Sequence, residues 1–290
     1  MAAGAKRSAQ STGDAWERVK LARDPARPQT LDYINGLCQG FFELHGDRCF
    51  RDDPAIVAGL GYFGRQPVAL VGHQRGHSTA ERLKRNFGRP HPEGYRKAAR
   101  LFELAERFGL PVITFIDTQG AEPGVGAEER GQAEAIARCL VLMARLEVPV
   151  VSCVVGEGGS GGALALGVAN AILMLENACY SVITPEGCAA ILWRESTPEN
   201  VARAAGMLGL CAPELLRLAV VDEIVPEPGG GAQADPEAAV RLLGVVLRRH
   251  LARLARLGPQ KLRRARQRKF AAMGVPFLLP GAVANSGPSG

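Results

Sequence analysis

The segment Gly156-Glu157-Gly158-Gly159-Ser160-Gly161-Gly162-Ala163-Leu164-Ala165 constrains this chain more than any other, because it follows directly on the apolar run Val148-Pro149-Val150-Val151-Ser152-Cys153-Val154-Val155. Glycines at 156, 158, 159, 161 and 162 leave backbone N–H groups uncovered, where a buried strand is expected to hand over to a helix. Such a turn is suited to hold a negative oxygen. A second apolar stretch, residues 111–116, leads into Asp117-Thr118-Gln119-Gly120-Ala121-Glu122-Pro123-Gly124-Val125-Gly126. A long helix is expected after it over residues 127–146, with Ile136, Leu140 and Met143 on one buried face.

Strand, glycine turn and helix therefore occur twice, and nearly continuous apolar strands of this kind are buried on both faces. An α/β fold is the expectation. With right-handed crossovers both turns open at the carboxyl ends of the strands, so one pocket between them is predicted. Upstream, the pattern predicts strands over 56–62 and 67–72 joined by a tight turn at Gly64-Arg65, a basic loop, and a helix from Pro92 to Phe108. Downstream it predicts a short helix and strands over 171–175 and 180–183.

Three templates fit the glycine run. Gly156, Gly158 and Gly161 satisfy G-x-G-x-x-G, with Glu176 about twenty residues on, which would make a dinucleotide fingerprint. That template does not explain the turn at 117–126. Gly158-Gly159-Ser160-Gly161-Gly162 satisfies G-x-S-x-G, a nucleophile elbow on Ser160, but the only downstream histidine, His250, lies in an Arg-rich segment. The third reading needs no reactive side chain: N–H groups at Gly161 and Gly162 donate to an oxygen that gains negative charge. A phosphate-binding Walker loop is excluded, since no lysine follows Gly161.

With 290 residues, 47% of them hydrophobic, the chain can bury a large core. Residues 15–280 are expected to form one domain, with C-terminal helices from about 236 behind a flexible joint at Gly229-Gly230-Gly231-Ala232. Residues 1–14 and 281–290, rich in Ala, Gly, Ser and Pro, are expected to be frayed. The net charge of +6 is concentrated late, in Arg248-Arg249-His250 and in residues 261–269. A solvated helix face is the reading for that run, in preference to nucleic-acid binding. Seven cysteines without a C-x-x-C pair argue against a metal site in this chain and against a disulfide framework; they read as buried thiols of a reducing compartment. No apolar stretch of signal-peptide or membrane-spanning type occurs, so a cytoplasmic protein without membrane contact is expected.

Beyond the two turns, the blocks Thr30-Leu31-Asp32-Tyr33, Asn86-Phe87-Gly88, Pro92-Glu93-Gly94-Tyr95-Arg96-Lys97-Ala98, Ala105-Glu106-Arg107-Phe108, Pro123-Gly124-Val125-Gly126-Ala127-Glu128-Glu129-Arg130-Gly131-Gln132 and Pro185-Glu186-Gly187-Cys188-Ala189 stand in order along the chain. Together with the glycine run they resemble the carboxyltransferase alpha subunit of bacterial acetyl-CoA carboxylase, over residues 15–275. The resemblance implies a crotonase-like fold of repeated ββα units forming a spiral core, with C-terminal helices. It implies transfer of a carboxyl group from carboxybiotin to acetyl-CoA, giving malonyl-CoA, the committed step of fatty acid synthesis. Biotin would be carried on a separate protein, the biotin carboxyl carrier protein, charged by biotin carboxylase. The active site would be shared with a zinc-ribbon-bearing beta subunit in an α2β2 assembly.

By motif position the resemblance places the oxyanion donors for the biotin ureido oxygen at Gly161 and Gly162. It gives the pocket walls to Gly120, Ala121, Gly124, Gly158 and Gly159. Gln119 stands where the family usually has Pro, and Glu122 where it usually has Tyr, so a repulsive charge beside carboxybiotin is expected unless Glu122 is paired. The longer helical N-terminal segment common in the family is expected to be shortened here. Arg75, Lys84 and Arg85, in a basic loop with His73, His77 and Arg89, are candidates for contact with CoA phosphates or the carrier. Glu128 and Glu129 are expected to serve the positive end of their helix, and Glu157 either orients the turn or faces solvent. Gly162→Val is expected to block transfer with folding largely intact.

Overall fold

The computed structural model describes residues 12–275. Two helices come first, α1 (Thr12–Ala22) and α2 (Thr30–Leu37), then β1 (Cys38–Glu43), β2 (Ile56–Phe63) and β3 (Gln66–His73). Next are α3 (Thr79–Lys84), α4 (Pro92–Phe108), β4 (Val112–Thr118), α5 (Val125–Glu129) and α6 (Gln132–Arg145). The second glycine segment spans β5 (Val150–Gly159) and α7 (Ser160–Leu164), followed by β6 (Ala171–Leu175) and β7 (Cys179–Ser181). The chain continues through α8 (Pro185–Trp193), α9 (Pro198–Leu208), α10 (Ala212–Arg217), β8 (Glu223–Val225), α11 (Pro236–Leu254) and α12 (Pro259–Ala272).

The strands form one sheet in the order β1-β2-β3-β4-β5-β6-β8, with β7 paired to the end of β5. β1, β2 and β3 are antiparallel, and every later pairing is parallel. Two antiparallel strands and a helix, β2-β3-α4, make the first ββα unit. β4 and β5 are buried along their whole lengths, as their largely apolar composition favours, with Thr114, Asp117, Thr118, Ser152 and Glu157 as buried polar residues. Tyr33 stacks on Phe115 at 5.7 Å and ties α2 to the sheet. The helix ends follow their local chemistry: α4 starts with Pro92 and stops at Gly109, whose φ is 66°, and α11 starts where the Asp235 carboxylate accepts from the Ala238 N–H at 2.9 Å.

Several expectations need correction. The glycine run is not a turn from Gly156 onward: Gly156–Gly159 complete β5, pairing with Thr118 on one side and with β7 on the other. The turn itself falls at Ser160. The helix expected over 127–146 is broken at Arg130-Gly131, where Gly131 adopts φ 82° and the Arg130 guanidinium turns to Glu93 at 2.7 Å. The buried face of α6 is Gln132, Ala135, Cys139 and Met143, with Ile136 and Leu140 only partly covered. α1 begins at Thr12, inside the stretch expected to be frayed; the rest of that stretch and residues 281–290 lie outside the described residues. Cys139, Cys153, Cys179 and Cys211 are buried, but Cys49 is exposed and Cys38 and Cys188 are half-covered. Among the described residues no helix is long and apolar enough to cross a membrane, and no cluster of His, Cys, Asp and Glu could hold a metal ion.

Candidate active site

Both glycine turns leave the carboxyl ends of adjacent parallel strands, β4 and β5, and meet each other. The first is stiffened from within: the Gly120 N–H donates to Thr118 Oγ1 at 3.0 Å, and that hydroxyl donates to the Gly120 carbonyl at 2.8 Å. Pro90 O accepts from the Glu122 N–H and from Gln132 Nε2, both at 2.9 Å, so the turn is also held from outside. The second turn is shaped by what its glycines leave out. A Cβ at Gly156 would run into the Asp117 carboxylate, and one at Gly159 into the Gln119 carbonyl. A Cβ at Gly162 would lie 2.5 Å from the Ala121 nitrogen. Gly159 and Gly162 permit close backbone approach, and none of the glycines of this run uses a positive φ; the residue that does is Ser160, at φ 53°.

Beneath the turns runs a web of charge. Arg23 donates to Glu157 at 2.8 Å and to Glu186 at 2.6 Å, while Arg75 reaches Asp117 at 3.3 Å and Glu157 at 3.7 Å. Asp117 Oδ1 accepts the Glu157 N–H at 3.1 Å, so the carboxylate at the end of β4 is bound to the backbone of β5. The Asp117 charge holds Arg75 above its ordinary range against the opposing pull of burial. For Arg23, burial is the largest influence and pulls the pKa down, but Glu186 and Glu157 together outweigh it and raise it. Glu157 is thus an orienter of the turn, buried at 6% exposure, and not a solvent-facing group.

Two neutral groups sit against Gly162 with a polar atom unpaired among the described residues. Burial pushes the His73 imidazole down to about 3, against the pull of the Phe115 and Gly162 carbonyls; its Nδ1 accepts weakly from the Asp117 N–H at 3.4 Å, leaving Nε2 without a partner. The Tyr95 hydroxyl, fully buried, is likewise unpaired. A buried hydroxyl without a partner costs about 1–3 kcal/mol, so Tyr95→Phe is expected to be neutral or to raise stability by about 1 kcal/mol. Urea unfolding of the two proteins checks this, a marked destabilisation being the contrary result.

A cavity of about 430 Å³ opens where the turns meet, lined by Gly120, Ala121 and Glu122 on one side and Ser160, Gly161 and Gly162 on the other. Gln132 and Ile136 of α6 and the segment Val182–Thr184 close it. These wall residues were not legible in the sequence, because the patterns mark α6 as a packing helix and 180–183 as strand. The N–H groups of Ser160, Gly161 and Gly162, the first of α7, have no acceptor within the helix and are the donors available to a bound oxygen. A second cavity of about 400 Å³, apolar and lined by Leu164, Tyr180, Val182 and Leu208, shares Ser160 and Gly161 with the first.

Other candidates fall elsewhere. Gly158 and Gly159 lie below the cavity, Gly158 against the Tyr180 ring, and Gly124 donates its N–H to Glu122 Oε1 at 3.0 Å. Arg75 is committed to the internal carboxylates, and Arg85 donates to Pro54 O at 2.8 Å, so neither is presented to a ligand. His73 is enclosed, and His77 is bonded to Asp32 at 2.8 Å. Lys84 is exposed beside a polar hollow lined by Asp52, Asp53 and His91, apart from the glycine turns. Glu122 is paired after all: Asn86 Nδ2 donates to it at 2.9 Å and Arg89 stands 3.9 Å away. Burial would raise its pKa, but Asn86, the Gly124 N–H and Arg89 bring it below the usual range, so the group is an ion at neutral pH.

A parallel-rich α/β sheet with two glycine turns meeting at its carboxyl end is the fold of the crotonase-like carboxyltransferases. The beta subunit of Pseudomonas aeruginosa geranyl-CoA carboxylase shares this fold with a TM-score of 0.58 at 21% identity, over 80% of this chain and 44% of that one. The sequence places the chain more narrowly: it belongs to the acetyl co-enzyme A carboxylase carboxyltransferase-like family, matching over residues 2–274. It is 57% identical over 260 residues to the acetyl-coenzyme A carboxylase carboxyl transferase subunit alpha of Thermus thermophilus, covering 90% of this chain and 83% of that one. A Saccharopolyspora erythraea protein named for subunits beta/alpha together is 55% identical over 263 residues, covering 91% of this chain and 46% of its own.

Proposed function

We propose that the chain is the alpha half of an acetyl-CoA carboxyltransferase whose cavity between the glycine turns receives carboxybiotin. The observation that carries the reading is the meeting of Gly120-Ala121 with Gly161-Gly162 around one cavity of about 430 Å³, within the size range of small-molecule sites. A bicyclic ureido ring fits such a space, and uncovered N–H groups suit its carbonyl oxygen. Carboxybiotin supplies the carboxyl group; the residues of this chain hold and orient the ring. The Gly161 and Gly162 N–H groups donate to the ureido oxygen and strengthen as it gains charge, an effect worth about 10²–10³ in rate per donor. The web of Arg23, Arg75, Asp117 and Glu157 fixes the spacing of the turns, so that little reorganisation is needed during reaction.

The beta partner supplies the site for the acetyl thioester, and in Saccharopolyspora the two halves share one named protein. We read the assembly as α2β2, served by a biotin carboxyl carrier protein and biotin carboxylase, in the cytoplasm, with the described residues acting as one carboxyltransferase domain. The test is carboxyl transfer from malonyl-CoA to a soluble biotin derivative. Transfer is expected when this chain is mixed with a carboxyltransferase beta subunit and not with this chain alone; a complex without transfer would contradict the reading. Glu122 is an anion in the wall of that site, but Asn86, Arg89 and the Gly124 N–H pair it, so its repulsion of an anionic substrate is offset. Glu122→Gln is therefore expected to leave the KM for carboxybiotin within about twofold of wild type with kcat little changed, as steady-state kinetics will show.

A further inference from the structure

From Gly156 to Gly162 the residue with a positive φ is a serine in a run otherwise rich in glycine. Ser160 adopts φ 53°, a left-handed conformation that is costly for a residue with a Cβ and free to glycine. Local hydrogen bonding often offsets this cost for small polar residues, yet the Ser160 hydroxyl has no hydrogen-bond partner among the described residues. It is exposed, at the rim shared by the cavity between the turns and the apolar cavity beside it. Strain retained at such a place points from the outlier to a function.

That function is not nucleophilic attack. His250 is bonded to Glu223 at 2.8 Å and to Arg253 at 3.1 Å, and His73 is enclosed beneath the turn, so no base stands ready to take the hydroxyl proton. What the hydroxyl can do is donate beside the N–H groups of Gly161 and Gly162. We propose that Ser160 is a further catalytic residue, its hydroxyl donating a hydrogen bond to the ureido oxygen held between the turns, and that the left-handed backbone aims it there. The proposal rests on the carboxybiotin reading of the cavity and deepens it.

The test uses the assembled alpha–beta enzyme, malonyl-CoA and a soluble biotin derivative, with wild type, Ser160→Gly and Ser160→Ala in parallel. Both variants are expected to lose at least about tenfold in kcat, with the KM for the biotin derivative within about twofold of wild type. Ser160→Gly is also expected to melt about 2–4 °C higher, since glycine relieves the backbone strain, while Ser160→Ala melts near wild type. A wild-type kcat in Ser160→Gly would overturn the proposal, as would a loss confined to Ser160→Ala, which would assign the effect to strain. Accumulation of a covalent acyl-enzyme in wild type would overturn it in favour of a nucleophile. A wild-type complex that forms but transfers nothing would overturn the carboxybiotin reading itself, and the proposal with it.

Discussion

Gly162→Ala is expected to remove carboxyl transfer by the assembled enzyme, with kcat falling at least about 10²-fold, and to lower its thermal midpoint. The added Cβ would lie 2.5 Å from the Ala121 nitrogen and 2.8 Å from the Gly120 carbonyl carbon, both backbone atoms that cannot swing aside. The turns must separate, and the donors of α7 move with them. The larger Gly162→Val is therefore expected to disturb folding as well as transfer, where the sequence alone led to an expectation of intact folding; stability and activity are expected to fall together at this position. Gly161→Ala separates the two effects. Its Cβ would meet nothing nearer than Ile136 Cγ2 at 3.8 Å, and Gly161 is not in the left-handed region. Alanine is favoured over glycine in a helix by roughly 0.5–1 kcal/mol, so this variant is expected to melt at or above the wild-type temperature. Its methyl points toward Ile136, a wall of the cavity, and a raised KM for the biotin derivative is expected. Calorimetry and steady-state kinetics on the two variants check both halves, and wild-type turnover by Gly162→Ala would remove Gly162 from the oxyanion assignment.

The second large effect lies behind the site. Arg27→Ala is expected to cost about 3–5 kcal/mol, because it leaves a buried carboxylate uncompensated. Arg27 and Glu227 are 3% and 1% exposed, joined by bonds of 2.5 and 2.9 Å, and Arg27 Nε also donates to the Val155 carbonyl at 2.7 Å. Glu227 in turn accepts from the Asn177 and Ala232 N–H groups, at 2.9 and 2.8 Å, and so gathers the loops after β6 and β8. Burial alone would raise the Glu227 pKa, but Arg27 and Asn177 outweigh it and set it below the ordinary 4.5. A carboxylate with a depressed folded-state pKa contributes stability above its unfolded value and loses that contribution as pH falls through the folded one. Wild-type stability is therefore expected to decline as pH drops below about 4.5, and Arg27→Ala to show less of this decline. Denaturant melts across that range give the answer; a loss under about 1 kcal/mol at neutral pH would contradict the pairing.

The parts legible in the sequence were those with local punctuation. α4 was read at both ends because Pro92 opens it and Gly109 stops it, β6 was marked by its short apolar run, and the start of α11 by the end of the joint Gly229-Gly230-Gly231-Ala232 before it. The meeting of the two turns followed from strand direction alone. The end of β5 was misread because glycines carry no side-chain alternation, so four residues of strand looked like turn. The break between α5 and α6 turns on Gly131 and on an arginine bound to Glu93, a partner 37 residues away. Arg27 and Glu227 are 200 residues apart, and no local pattern pairs them. Arg75 was taken for a surface contact because a basic loop looks solvated until the acids that bind it, Asp117 and Glu157, are seen on the neighbouring strands.

If the two glycine turns make one carboxybiotin site, the structure of the assembled alpha–beta enzyme with a bound biotin derivative will show the ring between them. The expected result places the ureido oxygen about 2.7–3.2 Å from the N–H nitrogen of Gly161 or Gly162, with the ring against Gly120 and Ala121. A biotin ring bound elsewhere, with those N–H groups facing only solvent or the partner subunit, would contradict it.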